Sequence, residues 1–216
     1  MKRTCQMIIT LCLPLVLCGP VRAQHAGPYV GAFFGGNALL DAKSTDSKGT
    51  FNLEFDPGIQ GGAVVGWDFA PDKSAGEGRI ELEYAHRSNQ LDKVKFVEGN
   101  FSGGGDVIAD SLLLNFIGVY REGRRWAPYL LVGLGAASME ASDLKVTGKP
   151  LGNDSSVVFA YQVGTGIDFM LTKNLNIDLG YRFFGSSRPE FSEPNGLKFE
   201  MDYYSHNVII GLRVGF

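Results

Sequence analysis

The stretch YYSHNVIIGLRVGF, from Tyr203 to Phe216, alternates between large and small or polar side chains. Every second residue from Val208 onward is large and apolar, whereas the intervening set includes Asn207, Gly211 and Arg213. A period of two is the pattern of a β-strand whose two faces meet different surroundings. The segment therefore predicts a strand with one wholly apolar face.

The same short pattern recurs along the chain, separated by turn-forming segments. We predict eight strands, at residues 29–39, 58–70, 78–87, 111–121, 129–138, 157–171, 175–184 and 203–216. The connections alternate in length. Long, polar and loose loops are expected at residues 40–57, 88–110, 139–156 and 185–202, and short ones at 71–77, 122–128 and 172–174. All the long connections therefore share one end.

The cost of exposing a charge to lipid separates the two faces of each strand. Between Leu175 and Phe183, one parity contains Leu179 and Tyr181, and the other contains Asp178 and Arg182. An outward arginine near the middle of a bilayer costs roughly 2 to 4 kcal/mol, so the ionic parity is assigned to the interior. The first strand does not show which of its faces is outward.

A soluble barrel alternates too, with its apolar face inward. Two observations favour a membrane: none of the predicted strands contains a lysine, and the polar parity is rich in glycine, which suits a crowded lumen. A third is that aromatic residues collect near the strand ends, as in interfacial girdles. The predicted girdle is Trp67, Phe69, Tyr84, Tyr120, Trp126, Tyr161, Phe169, Phe183 and Tyr204. The fold class is therefore all-β, an eight-stranded antiparallel up-and-down transmembrane β-barrel.

Residues 1–23 have the features of a cleaved signal peptide, namely a basic start, an apolar stretch and a small-residue cleavage site. The barrel domain is then residues 24–216 of an exported protein. All three cysteines lie in the removed segment, so the mature chain is expected to have no thiol chemistry. Lipidation at Cys18 is disfavoured because Leu17 occupies the position where a lipobox has a small residue.

Four segments resemble the small bacterial outer-membrane β-barrels related to the membrane domain of OmpA and to opacity and surface-antigen porins. They are Gly27–Gly31, Phe159–Phe169, Ile177–Phe183 and Ser205–Phe216. The resemblance implies location in the outer membrane of a Gram-negative bacterium, short periplasmic turns and long extracellular loops. It also implies that the outer-membrane assembly machinery recognises the final strand, with Phe216 as the signal.

The inward parity contains equal numbers of positive and negative groups. The predicted lumen charge network is Asp68, Arg79, Glu81, Glu83, Arg87, Arg121, Asp168, Asp178, Arg182 and Arg213. An eight-stranded barrel is just wide enough for side chains to fill it, so these groups, with Asn115, Gln162 and Asn207, are expected to pair as a polar plug. A narrow, gated pore is the alternative.

Other chemistries find little support in the sequence. A net charge of −3 argues against a nucleic-acid surface. His86 and His206 both face outward by parity, and Ser205 faces the opposite way from His206, which disfavours a serine and histidine pair. No metal or cofactor site is predicted, and the glycines of residues 103–106 are taken as a flexible loop tip.

Specific activity is therefore expected in the loops. The preferred hypothesis is a non-enzymatic barrel with a structural or surface-interaction role, such as membrane integrity, adhesion or surface antigen. The expected partners are outer-membrane lipids and lipopolysaccharide, the assembly machinery and a host or surface ligand. The alternatives are a narrow porin-like diffusion channel and, third, a lipid-modifying enzyme.

Overall fold

The computed structural model describes residues 26–46, 49–69, 77–96, 99–121, 125–192 and 198–216. The predicted signal peptide lies outside these residues. Twelve strands are formed: β1 (Gly27–Leu39), β2 (Ala42–Asp46), β3 (Gly49–Phe55), β4 (Gly58–Asp68), β5 (Glu77–Phe96), β6 (Gly99–Val119), β7 (Trp126–Val146), β8 (Lys149–Met170), β9 (Leu175–Ser186), β10 (Glu190–Ser192), β11 (Lys198–Met201) and β12 (Tyr204–Gly215). In the described part of the chain, no helix is both long and apolar enough to cross a bilayer.

Eight of these strands form a closed antiparallel ring, in the order β1, β4, β5, β6, β7, β8, β9, β12. The ring closes where β12 returns to β1, with Tyr29 opposite Gly215 and Leu39 opposite Ser205. Closure leaves no strand edge unpaired, which is the condition for a sheet in hydrocarbon. The predicted eight-stranded up-and-down barrel is confirmed, and we call these eight strands the membrane ring.

The faces of the first strand, which the sequence left open, are assigned by burial. Tyr29, Phe33 and Asn37 are buried in the lumen, whereas Val30 and Phe34 are exposed on the outer wall. This strand carries aromatic residues on both faces, so the lipid-cost rule could not separate them. Its inner aromatics pack against lumen groups.

The prediction of loose loops is wrong for two of the four long connections. Residues 88–110 and 139–156 continue the strands: β5, β6, β7 and β8 are 20, 21, 21 and 22 residues long and stay paired almost to their tips. A bilayer needs only about 9 to 11 residues of a tilted strand, so these strands extend well beyond it. The predicted strands lacked lysine because they stopped short of these extensions, which contain Lys93, Lys95 and Lys145.

The other two predicted loops contain short strands that prolong the barrel. β2 and β3 pair with each other, β3 pairs with the upper part of β5, and β11 pairs with β2 and β10. β10 lies beside β8. These strands and the extensions of β5 to β8 form a second barrel layer above the membrane ring, which we call the upper ring. The opposite end of the barrel, which includes the connection at residues 171–174, is called the short-turn end.

The glycine run at residues 103–106 is not a loop tip. It lies inside β6, at a bulge where the pairing with β7 shifts between Gly104 and Asp106. Gly105 has a φ of 96°, and Asp143 on the partner strand has a φ of 50°. A bulge of this kind bends a strand without ending its pairing. The prediction failed because a glycine-rich bulge and a glycine-rich turn have the same composition.

The polarity of the wall reverses between the two rings. On the membrane ring, Leu130 and Val132 of β7 are exposed on the outside. Higher on the same strand, Met139 and Leu144 are buried inside, while Glu140 is exposed. The apolar side chains thus face outward in the membrane ring and inward in the upper ring. The upper ring is consequently built like a water-soluble barrel, and the lower ring like a membrane barrel.

Candidate functional site

An ion pair between Asp68 and Arg121 lies in the lumen at the short-turn end. Nη2 of Arg121 donates to both carboxylate oxygens of Asp68, at 2.8 and 2.6 Å, and Nε lies 3.5 Å from Glu77. Asp68 and Arg121 are both buried. This contact joins the end of β4 to the segment that follows β6.

The carboxylate of Asp168 lies between two arginines. Arg79 donates to it, and Nη2 of Arg213 lies 3.0 Å from the same oxygen, Oδ2. Beside this triad the Tyr29 hydroxyl donates to Glu81 at 2.6 Å, and Nε of Arg79 lies 3.8 Å from Glu81. The predicted charges on β5, β8 and β12 therefore meet in one layer.

Asp178 is bound by a hydroxyl group and not by a cation. Its Oδ1 accepts a hydrogen bond from the Tyr129 hydroxyl at 2.8 Å. It lies directly opposite Asp168 in the β8–β9 ladder, and among the described residues no cation is within ion-pair distance of it. The structure thus places Asp178 in the lumen as a hydrogen-bond acceptor beside the charge network.

Glu83 is the centre of the next layer. Its Oε2 accepts from Arg182, from the Asn115 amide at 2.8 Å and from the Gln162 amide at 3.2 Å. Gln162 also donates to Asn115 at 2.8 Å. The Arg182 guanidinium lies 4.8 Å from the centre of the Phe33 ring, in cation–π geometry. Strands on opposite walls are joined by this one carboxylate.

Arg87 stands apart from these pairs. Its Nη1 donates to the Ser111 hydroxyl at 2.8 Å, its guanidinium carbon lies 4.1 Å from the centre of the Phe184 ring, and its Nε has no hydrogen-bond partner. The side chain is fully buried, and no carboxylate of the described residues lies within ion-pair distance. Of the ten predicted lumen charges, Arg87 and Asp178 are the two that have no opposite charge within ion-pair distance among the described residues.

Above Arg87 the lumen is filled by apolar side chains, which the sequence reasoning missed. The cluster consists of Leu39, Ala42, Phe51, Leu53, Leu91, Val94, Val107, Ala109, Leu113, Ala137, Met139, Ala141, Leu144, Ala160, Phe184, Phe191, Met201 and Tyr203. The available signal was the change of parity along β7, where the apolar set moves from the even-numbered residues below Ala136 to Ala137, Met139 and Ala141. Many of these residues are small, which made that signal weak.

Lumen glycines make room for aromatic side chains, as their parity suggested. A Cβ at Gly66 would lie 2.6 Å from the Tyr29 hydroxyl, and one at Gly166 would lie 2.5 Å from Cζ of Tyr129. Ordinary Cβ contacts are never that close, so these two tyrosines lie flat on a wall without side chains. Glycine therefore sets the position of the two hydroxyls that hold Glu81 and Asp178.

The outer wall carries an apolar band with aromatic borders. On β7 the outward residues from Trp126 to Ala136 span roughly 25 Å along the barrel axis at the usual strand rise and tilt, which matches the band of a bacterial outer-membrane barrel. The predicted girdle residues all have side chains on this wall. Trp67, Phe69, Tyr84, Tyr120, Trp126 and Phe169 are exposed, Tyr161, Phe183 and Tyr204 are half-buried, and Phe216 is exposed at the short-turn end.

A family model described as the outer membrane protein beta-barrel domain matches residues 9–216. The chain belongs to this outer-membrane β-barrel family. OprG of Pseudomonas aeruginosa is 16% identical, with 90% of this chain and 99% of that chain covered and a TM-score of 0.60. The outer membrane protein AlkL is 13% identical, covering 94% and 98%, with a TM-score of 0.53. Neisserial surface protein A is 18% identical, covering 88% and 98%, with a TM-score of 0.47.

At these identities the solved structures show the fold and no more. No curated protein matches the chain. Membership of the family confirms the predicted resemblance and the bacterial outer membrane as the location. The resemblance described above implies that the short-turn end faces the periplasm and that the upper ring projects from the cell.

The outward histidines lie at the border between band and upper ring, on separate strands. His86 Nδ1 is 2.9 Å from Asp110 Oδ1, which also accepts from the Tyr84 hydroxyl at 2.6 Å. His206 Nδ1 is 2.6 Å from the hydroxyl of Tyr181. Two strands, β4 and β1, separate the histidines in the ring. Neither histidine is joined to a serine by any of these contacts.

Within the part of the chain that the structure describes, no three histidine, cysteine or carboxylate side chains are close enough together to hold a metal ion. On the upper ring, opposite charges instead pair at the surface. Lys95 donates to Glu54, and the Arg188 Nε donates to Asp202 at 2.8 Å. The hydrogen bond that Lys93 donates to the Asp92 carboxylate raises the pKa of Lys93, which is exposed.

Proposed function

We propose that this protein is a sealed, non-enzymatic barrel whose role is structural or surface-interacting, exercised by the upper ring that it holds above the outer leaflet. The observation that supports the proposal is that side chains fill the lumen at two levels. An ionic layer lies inside the band, and an apolar core lies above it. A barrel of this kind anchors a rigid surface rather than conducting solutes.

The ionic layer is a strong barrier because its members bridge opposite walls. Asp168 and Glu83 each bind groups from more than one other strand, so opening a path means breaking several charge-assisted contacts at once. Truncating one partner of a buried pair typically costs about 3 to 5 kcal/mol, and a conducting state would have to disrupt several. Thermal opening of this layer is therefore rare.

Two cavities that the described residues form in the lumen are both small. A cavity beside Glu81, Asp178 and Arg182 has a volume of about 20 Å³, and one at the periplasmic mouth about 10 Å³. A single water molecule needs roughly that much room, so neither cavity holds a hydrated ion. The apolar core above adds a dehydrated layer that an ion would have to cross.

The upper ring gives the barrel a stiff outer surface. Its strands remain in ladders with the tips of β5, β6, β7 and β8, and its core is packed like that of a soluble protein. Such a surface suits a protein partner or lipopolysaccharide, the latter through divalent cations bridging carboxylates such as Asp110 and Glu140 to phosphates. We also propose that β12, ending in Phe216, is read by the assembly machinery.

Planar-bilayer recording of the purified, heat-modifiable protein tests the seal. We expect no stable conductance steps from the native protein. Stable, ion-selective steps would replace the proposal with the narrow diffusion channel.

The surface role is tested in cells. Strains lacking the gene should lose adhesion or envelope integrity, and complementation should restore the lost property. A version in which the β7–β8 tip, residues 145–150, is replaced by a Gly and Ser turn should assemble normally yet fail to restore it. Full restoration by this version would argue that the upper ring has no such role.

The enzyme alternative centres on His86 and Asp110, an outward-facing pair at the border between the band and the upper ring. Ser138 lies opposite Asp110 in the β6–β7 ladder, so Asp110 separates His86 from this hydroxyl. A nucleophile needs its base within hydrogen-bond reach, and these two residues are two strands apart. Mass spectrometry of lipid A from strains with and without the gene should show identical acylation; an altered acyl chain would favour the enzyme.

A further inference from the structure

The turn between β8 and β9 places a lysine at the periplasmic mouth of the lumen. The Lys173 Nζ is buried, has no hydrogen-bond partner and lines the small mouth cavity described above. No carboxylate of the described residues lies within 4.0 Å of it. A buried ammonium without a partner is unfavourable, because the charge loses hydration and gains nothing in return.

The backbone of this turn is held firmly by its neighbours. The Thr172 hydroxyl accepts from the amides of Asn174 and Leu175, at 3.3 and 3.1 Å. Asn174 exchanges hydrogen bonds with Gly215: its side-chain amide donates to the Gly215 carbonyl at 2.9 Å, and its own carbonyl accepts from the Gly215 amide at 2.8 Å. The position of Lys173 is thus set by contacts to both adjacent strands, β9 and β12.

Among the side chains that line the cavity, the cations Lys173 and Arg213 outnumber the single carboxylate, Asp68. Arg213 lines the cavity, and its carboxylate partner Asp168 is shared with Arg79. Asp68, the carboxylate in the wall, is engaged by Arg121. The carboxylate side chain in the cavity wall is therefore already paired with an arginine.

We propose that this cavity is a binding site for an oxygen of an anionic group, a phosphate or a carboxylate, presented from the periplasm. Lys173 supplies the ammonium donor, Arg213 adds positive potential, and the Asn176 amide lies in the wall beside them. The cavity admits one oxygen-sized atom, so the ligand inserts a terminal oxygen and leaves its remainder outside. Binding would tie the β8–β9 turn to the ends of β1 and β12 at the membrane surface.

The test uses the full barrel, refolded in a maltoside detergent, which carries no phosphate. Amide chemical shifts of Asn174, Leu175 and Gly215 are followed during titration with sodium phosphate, sodium acetate or sodium chloride at constant ionic strength. Saturable shifts are expected with phosphate, acetate or both, and the arm that responds identifies the group. Absence of a saturable shift with either oxyanion in the native protein overturns the proposal.

Variants separate a site from a general salt effect. Lys173→Met should weaken the apparent affinity at least about tenfold, as expected for loss of one charged hydrogen bond, and Lys173→Arg should retain binding. Lys145→Met is the matched control, because Lys145 is an exposed lysine at the opposite end of the barrel. Equal chemical-shift changes in Lys173→Met and Lys145→Met would overturn the assignment to Lys173. If Lys173→Met fails to fold, the titration of the native protein still tests whether the site exists.

Discussion

Arg182 and Arg87 are both buried in the lumen, but replacing each with methionine should change the free energy of unfolding differently. Arg182 touches the carboxylate of Glu83, whereas Arg87 touches a hydroxyl and an aromatic ring. A buried ion pair resists the loss of one partner because the other charge is then left without compensation. A buried cation without a carboxylate has no such partner to lose.

Arg182→Met should lower the free energy of unfolding by about 3 to 5 kcal/mol, because it leaves the Glu83 carboxylate buried with only amide donors. Urea unfolding in lipid vesicles measures this change. The outward Trp67 and Trp126 provide the fluorescence signal, since they leave lipid when the barrel unfolds. A loss below about 1 kcal/mol would mean that the pair is not part of the plug.

Arg87→Met should leave the free energy of unfolding unchanged or raise it, by up to about 2 kcal/mol. The methionine fills similar space beside Phe184 and removes a desolvated charge. Among the described contacts it loses one hydrogen bond, to Ser111, and the cation–π contact with Phe184. The same unfolding experiment compares this variant with the native protein. A decrease as large as that expected for Arg182→Met would show that Arg87 has a counter-charge or an equivalent partner.

At the scale of elements, the paired strands of the upper ring depend on a bulge. Gly105 of β6 has a φ of 96°, and a Cβ there would lie 2.6 Å from the carbonyl carbon of Asp143 and 2.7 Å from the Ser142 oxygen. Both the torsion angle and the clash with backbone exclude a side chain. The neighbouring Gly104 has open space around its Cβ position and no unusual φ.

Gly105→Ala should therefore destabilise the β6–β7 extension by roughly 1 to 3 kcal/mol, with little effect on the membrane ring. Limited proteolysis of the refolded barrel should cut the extension faster in this variant. Gly104→Ala is the matched control and should be cut at the native rate. Equal cutting of the two variants would indicate that the bulge is not required for the pairing.

At the scale of the whole molecule, the reversal of polarity defines how deep the barrel sits. Below the border, apolar side chains such as Val132 contact lipid; above it, polar side chains such as Glu140 contact water. Two solvents thus act on one continuous strand. The depth of the protein in the membrane is therefore set by the position along the strands at which the apolar side chains switch from the outer to the inner face.

Val132→Arg should cost roughly 2 to 4 kcal/mol of folding free energy in vesicles, because it places a charge in the middle of the band. Glu140→Arg, eight residues further along the same face of β7, should cost less than about 1 kcal/mol, since that position is outside the band. Folding into lipid vesicles under urea measures both. Similar costs at the two positions would place the upper ring within the bilayer.

The sequence by itself determined the barrel and its lower wall. Alternation with charged residues on one parity has only one inexpensive arrangement in lipid, so the faces of the strands around Glu81, Asp178 and Arg182 could be assigned without coordinates. The family resemblance and the outer-membrane location followed from the same segments. Local pattern is sufficient here because the bilayer penalises every wrong parity separately.

Only the tertiary structure decided which lumen charges meet and where the strands end. Arg79 and Asp168 are 89 residues apart in the chain, and the register of several ladders brings them together, so no local pattern specifies the contact. The upper ring was hidden because its inward residues are often small and because bulges such as that at Gly105 shift the alternation. Outside the bilayer, water accepts both polar and small apolar side chains on the outer face at many positions. Packing inside the upper ring therefore decides whether a segment forms a strand or a loop.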